Sequence, residues 1–309
     1  MAFNVSGLSN YTNEQQSELL VKALFGGKTA QVLQAAGQVQ PGIKSASKLA
    51  LLGSTVYFQA DGCGYNPSGT TTLSQRTLTV GAVKVEETLC PKSLEAKWMQ
   101  TLIAPGSATA LPFEEQIGME KAAVIAETIG QTIWQGDTTS GDPNLNKFDG
   151  FVKIIAASSP TLGNSNPTAF TSVTVSNIDD ILDQMYTALP ARVASKEDLV
   201  CWVGVDTFKL MLINLKNANL FHYTPEAAVN MEMIYPGTNV KVIAVGGLSG
   251  TNKLVMGSLS NFFLGTDLMN EDENWSLWYS KDNDEVRFRA SFKYGVQVAY
   301  PAEIVYFTL

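Results

Sequence analysis

The chain has 309 residues, of which 45% are hydrophobic and 16% are charged, so it can bury one or two substantial cores without help from metals or disulfides. Its formal net charge is −8 and its 21 basic residues are scattered, which argues against broad binding to a nucleic-acid backbone. No apolar stretch reaches the roughly 20 residues of a membrane helix and the N-terminus does not resemble a signal peptide, so we expect a protein made in the cytosol.

The N-terminal segment has helical spacing of apolar residues from residue 14 to residue 36. Gly26-Gly27 predicts a break into two short helices, and Pro41-Gly42 predicts the end of the segment. Short amphipathic helices bury only a narrow stripe, so we expect residues 1 to about 40 to be held mainly by a neighbour. The contacting residues predicted in this segment are Leu19, Leu20 and Leu24.

A long hairpin is predicted next. Residues 54 to 60 and 76 to 88 are rich in β-branched and aromatic residues, while residues 61 to 75 between them are dense in Gly, Asn, Ser and Thr. An isolated hairpin is marginal in water, so this one should lie on something else.

A helix of some 24 residues, about 36 Å long, follows. Pro112 fits its first turn and Gly136 its end. The residues of its predicted apolar stripe are Phe113, Ile117, Val124, Ile125, Ile129 and Ile133. The segment after it predicts a loop or hairpin that ends in the apolar run at residues 151 to 155.

Residues 166 to 269 predict a compact α/β unit. Ser176 is the expected N-cap of a helix ended by Pro190, and Asp206 is the expected cap of a second helix. Between the helices, residues 199 to 205 form a continuous apolar run that is typical of a buried strand. Two further strands are predicted at 240 to 247 and 253 to 259.

The C-terminal region alternates apolar and polar residues from Val286 to Tyr300. A run of this length predicts one strand that crosses the molecule, bent at Gly295 and paired with residues 275 to 280.

Motifs for nucleotide or nucleophilic chemistry are weak. Residues 26 to 29 resemble the end of a phosphate loop, but the required first glycine falls at Lys22. Residues 247 to 250 are one residue short of a nucleophile elbow, and a turn between strands explains them better. The single histidine, His222, lies between aromatic residues, where packing is the favoured role over that of a catalytic base.

The carboxylates and thiols of the sequence do not indicate a catalytic or metal site either. Asp137, Asp142 and Asp149 could pair as acid and base, yet each adjoins a Gly or Pro and turn formation explains them. Residues 271 to 273 and 282 to 285 lack the pattern of a calcium loop. Cys201 lies in an apolar run and is interpreted as core packing. We therefore predict no catalytic, metal or cofactor site, and a protein that is not an enzyme.

The order of these elements resembles the major capsid protein of tailed bacteriophages, the Hong Kong 97 type of fold, over essentially the full chain. Thr132 to Asp137 resembles the exit of the family's spine helix into a loop, and Phe148 to Phe151 resembles the return of that loop. Asp198 to Lys216 looks like a strand and helix of its A-domain, and Val296 to Val305 is similar to its closing strand.

This resemblance implies an α+β fold with five segments. They are an N-terminal arm at 1–48, an extended E-loop hairpin at 49–92, a P-domain with the spine helix at 93–165, a compact α/β A-domain at 166–269 and long P-domain strands at 270–309.

The implied function is self-assembly into pentamers and hexamers of an icosahedral head that encloses double-stranded DNA. Expected partners are copies of the chain, a separate scaffold if any, portal and minor or decoration proteins, and DNA by weak contact, but no membrane. Residues 61 to 75 contain no lysine, so the covalent crosslink of some members is not expected. The intersubunit contacts predicted in and beside the hairpin are Asp61, Tyr65, Asn66 and Arg76.

Two alternatives remain at this point. An encapsulin-like nanocompartment shell has the same fold and would be distinguished by a cargo protein. A soluble enzyme or binding module that does not assemble would be small and monodisperse.

Overall fold

The computed structural model describes residues 23–65, 67–90, 113–164, 170–218, 230–267, 275–283 and 285–309. The chain is a mixed α+β protein, which confirms the predicted class. Its described strands form a five-stranded sheet, a six-stranded sheet and a separate two-stranded hairpin.

The N-terminal helices are separated as predicted. Residues 23 to 25 are helical, the helix is interrupted at Gly26 and Gly27, and α1 then spans Lys28–Ala35. A short strand, β1 at Val39–Gln40, follows and pairs parallel to β10, Phe262–Thr266. The buried residues of this region are Ala23, Leu24, Phe25, Ala30 and Leu33. The described part of the segment therefore belongs to the chain's own core, which corrects the expectation that it contributes little to that core.

The hairpin consists of β2, Ala46–Thr55, and β3, Thr70–Thr79. Their antiparallel register runs from Ala46 opposite Thr79 to Thr55 opposite Thr70. The predicted strand boundaries were wrong: most of 54 to 60 lies in the tip, and the second predicted strand divides at Val80. The β-branched threonines at 70 to 72 extend β3 into the predicted tip. After Val80, β4 at Gly81–Leu89 leaves the hairpin and pairs with β12.

The predicted long helix is α2, Phe113–Gln135. Its buried stripe includes Ile125, Ile129 and Ile133, but Val124 is 54% exposed and does not belong to it. Val124 precedes Ile125 by one residue, which turns its side chain about 100° away around the helix. Gly136 ends the helix as predicted, and the apolar run after the following turns forms a helix, α3 at Phe151–Ala157.

The six-stranded sheet has the order β5, β13, β9, β6, β8, β7. Its strands are β5 at Thr161–Leu162, β6 at Leu199–Gly204, β7 at Glu232–Ile234, β8 at Lys241–Val245, β9 at Leu254–Ser258 and β13 at Val305–Phe307. Its helices are α4 at Ile178–Thr187, α5 at Ala191–Ala194 and α6 at Val205–Asn217. All six residues of β6 are buried, which confirms the predicted core strand.

Two predicted caps of this unit need correction. The N-cap of α4 is Asn177 rather than Ser176, and the first intrahelical hydrogen bond runs from Ile181 N to the Asn177 carbonyl. The Asn177 side chain accepts a hydrogen bond from Thr174 N in the preceding turn. The N-cap of α6 is Gly204, while Asp206 lies in the first turn and accepts a hydrogen bond from Gly250 N at 2.8 Å.

The five-stranded sheet is built on β12, Glu285–Val298. It pairs antiparallel with β4, β10 and β11, Trp275–Ser280, so the predicted long strand and its partner are confirmed. The register of β12 is continuous across Gly295, which lies opposite Gly265 of β10, and the predicted bend at Gly295 stays a prediction. Strand pairing also places β10 in this sheet and β13 in the six-stranded sheet, although the expected boundaries put each in the other unit.

The main core lies between α2, α3, the five-stranded sheet and one face of the six-stranded sheet. At its centre the ring of Trp134 lies 5.2 Å from that of Phe151 and 5.5 Å from that of Trp202. The Trp134 indole donates a hydrogen bond to the Thr29 hydroxyl at 2.8 Å. A second core fills the other face of the six-stranded sheet beneath α4 and α6. These two cores form the body from which the hairpin extends.

Candidate assembly surface

The distal half of the hairpin has apolar side chains that no described part of the chain covers. Leu52 and Leu73 lie directly opposite one another, and they are 61% and 80% exposed. In the tip, Val56 and Tyr57 are largely exposed and Phe58 is fully exposed. Contiguous exposed apolar side chains of this kind mark interaction sites in soluble proteins.

The tip is held by polar contacts that need no partner. The hydroxyls of Thr55 and Thr70 are 2.8 Å apart at the last strand pair, and the Gln59 carboxamide donates to the Ser68 hydroxyl. Residues 52 to 75 contain one charged side chain, Asp61. Any surface that receives this hairpin is therefore recognised by apolar contact and neutral hydrogen bonds.

The root of the hairpin sits on a flat site made by the paired glycines Gly265 and Gly295. A Cβ at Gly265 would lie 2.9 Å from Leu78 Cδ2, and one at Gly295 would collide with the backbone carbonyl of Thr79. A side chain at Gly295 would therefore move the backbone of the root off the sheet, and one at Gly265 would displace the side chain of Leu78. The buried residues of this small apolar cluster are Ile43, Leu49, Leu78 and Val80.

A seam of hydrogen bonds lies beside this cluster. Arg76 Nη2 donates to Ser158 Oγ at 3.0 Å and to Gln297 Oε1 at 3.4 Å. Gln297 Nε2 in turn donates to the backbone carbonyl of Thr77 at 2.6 Å. Burial lowers the pKa of the Arg76 guanidinium from its usual value, although that group stays protonated at neutral pH. The seam joins β3 to both α3 and β12.

The predicted contact residues have different positions. Asp61 and Tyr65 are exposed in the tip, where their contact with a neighbour stays a prediction. Arg76 is half-buried and makes its hydrogen bonds within the chain. Leu24 is 1% exposed, which corrects its interpretation as a surface contact. Asn66, Leu19 and Leu20 lie outside the described residues.

Sequence reasoning missed the glycine pair and Gln297. Their partners are distant in the chain, since Arg76 and Gln297 are 221 positions apart. Glycine inside a strand pattern signals either a bulge or a close backbone approach. Gly295 marks a close backbone approach, that of Thr79.

The three candidate acid and base residues lie in the turns between α2 and α3. Lys153 Nζ lies 2.7 Å from Oδ1 of both Asp137 and Asp149, and Asp142 accepts a hydrogen bond from Asn144 N. The Lys153 ammonium and then the Thr139 donors lower the pKa of Asp137 to about 2. Burial raises the pKa of Asp149, but Lys153 and Thr138 outweigh it and leave that pKa below its usual value. These contacts confirm the interpretation of the segment as turn-forming.

The remaining candidate residues are a buried cysteine and residues that the structure does not describe. Cys201 is fully buried, and burial raises its thiol pKa to about 12, as expected for core packing. His222 and residues 271 to 273 lie outside the described residues. Across the described ranges, no three His, Cys, Asp or Glu side chains cluster as a metal site would require. Nor does any described helix combine the length and apolar character needed to cross a membrane.

Comparison with known proteins shows similarity in structure but not in sequence. No protein-family model matches the sequence, and no curated protein matches it.

Solved structures match over nearly the full chain. A chain of the satellite phage P4 procapsid, which includes the size determination (Sid) protein, is 12% identical with a TM-score of 0.60, and the match covers 100% of this chain and 92% of that one. The capsid of the native GTA particle gives 13% identity, a TM-score of 0.57 and 89% coverage of both chains. The capsid of Myoviridae phage XM1 gives 12% identity, a TM-score of 0.54 and coverage of 90% and 91%. The chain therefore has the fold of phage capsid proteins.

Proposed function

We propose that this chain is a major capsid protein of a tailed phage, which assembles as pentamers and hexamers into an icosahedral head around double-stranded DNA. The observation that carries the proposal is the hairpin, whose distal half exposes Leu52, Val56, Phe58 and Leu73 to solvent in the isolated chain. An arm of this kind gains little for its own subunit, because an isolated two-stranded hairpin is marginal in water. Its apolar residues are accounted for if a neighbouring subunit covers them.

The energetics favour assembly by many weak contacts. Full burial of one large apolar side chain contributes about 1.5 to 3 kcal/mol. The distal hairpin exposes five, Leu52, Val56, Tyr57, Phe58 and Leu73, so their burial would contribute about 10 kcal/mol. Association costs about 4 to 15 kcal/mol in lost translational and rotational freedom. A single hairpin contact is therefore weak and reversible, and a closed shell gains its stability from repeated contacts between copies.

The parts of the chain have distinct roles under this proposal. The described N-terminal residues, α2 and the five-stranded sheet form the P-domain body, the hairpin is the E-loop, and the six-stranded sheet with α4 and α6 is the A-domain near the ring axes. The protein resides in the virion after assembly in the host cytoplasm.

The partners under this proposal are other copies of the chain, a separate scaffold if any, the portal and minor or decoration proteins. The net charge of −8 suits a wall that makes only weak contact with the packaged genome.

The test is electron microscopy of the purified protein and of its native particle. Closed icosahedral shells with this chain as the major band and with nuclease-protected DNA inside are the expected result. Shells that enclose a protein instead of DNA would favour a nanocompartment. A single 33.3 kDa species under all assembly conditions would contradict the proposal.

A further inference from the structure

On the β3 side, the hairpin meets the body through two kinds of contact. One is the apolar cluster over the glycine pair, with Leu78 fully buried. The other is the hydrogen-bonded seam of Arg76, Ser158 and Gln297. The residues that lead into β2 are also held, since Ile43 N donates a hydrogen bond to Thr266 O at 3.1 Å and Lys44 Nζ lies 3.3 Å from Asp267 Oδ1. Apolar contact is not directional, so a small cluster on a flat glycine site resists separation better than it resists rotation. Hydrogen bonds are directional and weaken steeply when their angles change, so the seam resists rotation.

Every polar atom of the Gln297 side chain takes part in this seam. Oε1 accepts hydrogen bonds from Arg76 and from Val298 N, and Nε2 donates to the carbonyl of Thr77. Ser158, the other acceptor of Arg76, is the C-cap of α3 and donates its own hydroxyl proton to Ile154 O. The guanidinium is thus fixed by two groups that are themselves held in place.

The seam lies near the base of the hairpin, so a small rotation there displaces the far end of the strands by several Å. Arg76 follows Thr70, at the distal end of the strand pair, by six residues, which is about 20 Å along an extended strand. A rotation of about 10° at Arg76 would therefore move the end of the strands by about 3.5 Å, more than a hydrogen-bond length, and the tip by more. Contacts between subunits are sensitive to a displacement of that size.

We infer that Arg76 and Gln297 are positioning residues that fix the direction in which the hairpin leaves the body, and that this direction sets the curvature of the assembled shell. The second half of the inference rests on the proposed function. Because each hairpin would engage the next subunit, a change in its angle is repeated at every contact and changes the angle between neighbours. Loss of the seam would allow several angles and thus shells of several sizes.

The first part of the test needs no assembly. Cys63 in the tip and Cys90 after β4 are exposed, while Cys201 is fully buried, so spin labels on the two exposed thiols report the distance from tip to body in dissociated subunits. We expect a narrow distance distribution for the wild type. In Arg76→Ala and Gln297→Ala, it should broaden by several Å, with Arg76→Lys intermediate because lysine keeps the charge but not the planar fork.

The second part measures shell diameters of the same proteins by electron microscopy. We expect one diameter for the wild type and a broadened or shifted distribution for Arg76→Ala and Gln297→Ala. Arg289→Ala is the matched control: it removes an equal charge from an ion pair with Glu86 on the exposed sheet face and should keep the wild-type diameter.

Each outcome decides a separate claim. Unchanged distances in both alanine variants would overturn the positioning role, whether or not shells form. Broadened distances with unchanged diameters would overturn the link to curvature, and so would an equal change of diameter in Arg289→Ala. Absence of shells from the wild type would instead refute the proposed function, and the subunit distances would still decide the positioning role.

Discussion

The six-stranded sheet and the hairpin place similar apolar residues in opposite environments. Every residue of β6 is buried, and Trp202 in its middle has no exposed surface. In the hairpin, Leu52 and Leu73 form a cross-strand pair with more than half of each side chain in water. The sheet is complete within one chain, whereas under the proposed function the hairpin is completed by a neighbouring subunit. Apolar residues in the body thus maintain the fold, and those in the distal hairpin are available for assembly.

Substitution of a buried phenylalanine, Phe262, should change the stability of the subunit most. Its matched partner is an exposed phenylalanine of the hairpin, Phe58. Phe262 is fully buried, and its ring lies 5.3 Å from that of Phe151 and 6.1 Å from that of Trp202. Phe262→Ala should lower the free energy of unfolding by about 3 to 5 kcal/mol through lost burial and the cavity left behind. Urea denaturation of the subunit measures it, and a loss below about 1 kcal/mol would contradict the assignment of this residue to the core.

Sequence patterns predicted the body well because burial imposes a period on it. Burial of one face produces the apolar stripe of α2 and the alternation of β12. Burial of both faces produces the continuous apolar run of β6. The errors within these elements were local. Val124 and the caps of α4 and α6 depend on a single turn of chain.

The hairpin was predicted to exist but its strands were misplaced, for a physical reason. Strand register is set by the face that is buried, and the distal half has no buried face. The register is fixed at the root instead, where Leu78 packs against Gly265. That contact, like the bond from Arg76 to Gln297, joins residues far apart in sequence and leaves no local pattern.

A substitution at the root of the hairpin should have an intermediate effect on stability. In Gly295→Ala, the new Cβ would collide with the backbone carbonyl of Thr79, so the strand must shift at a cost of about 1 to 3 kcal/mol. Gly246→Ala is the control, because no atom lies within 4 Å of its added Cβ, and it should change the free energy of unfolding by less than about 0.5 kcal/mol. Equal stability of the two variants would show that the root does not rest on the glycine pair.

A smaller effect is expected in the turns after α2. Lys153 and Thr139 lower the pKa of Asp137 from 3.8 to about 2. A carboxyl whose pKa is lower in the folded state stabilises it fully above the unfolded pKa, and this contribution is lost as pH falls toward the folded pKa. Asp137→Asn should therefore be less stable than the wild type at about pH 5, with a difference that shrinks between about pH 4 and pH 2. Urea denaturation across that range measures it, and a pH-independent difference would contradict the ion pair's role.

The smallest effect on stability is expected for the partner of the first test, Phe58→Ala. Phe58 is fully exposed, so its loss should change the free energy of unfolding by no more than about 0.5 kcal/mol. Assembly should nevertheless be impaired, since one of the largest apolar groups of the interface is gone. Light scattering under assembly conditions reports the loss. Normal assembly of this variant would remove Phe58 from the interface.

The most direct test of the central claim is to remove the hairpin tip. Residues 56 to 69 would be replaced by Asn-Gly, which closes the strand pair Thr55 and Thr70 with a two-residue turn. We expect a folded subunit with unchanged circular dichroism and melting temperature that sediments as monomers or small rings and forms no shells. Normal closed shells from the shortened protein would contradict the claim that the hairpin joins the subunits, and failure to fold would show that the tip belongs to the subunit's own core.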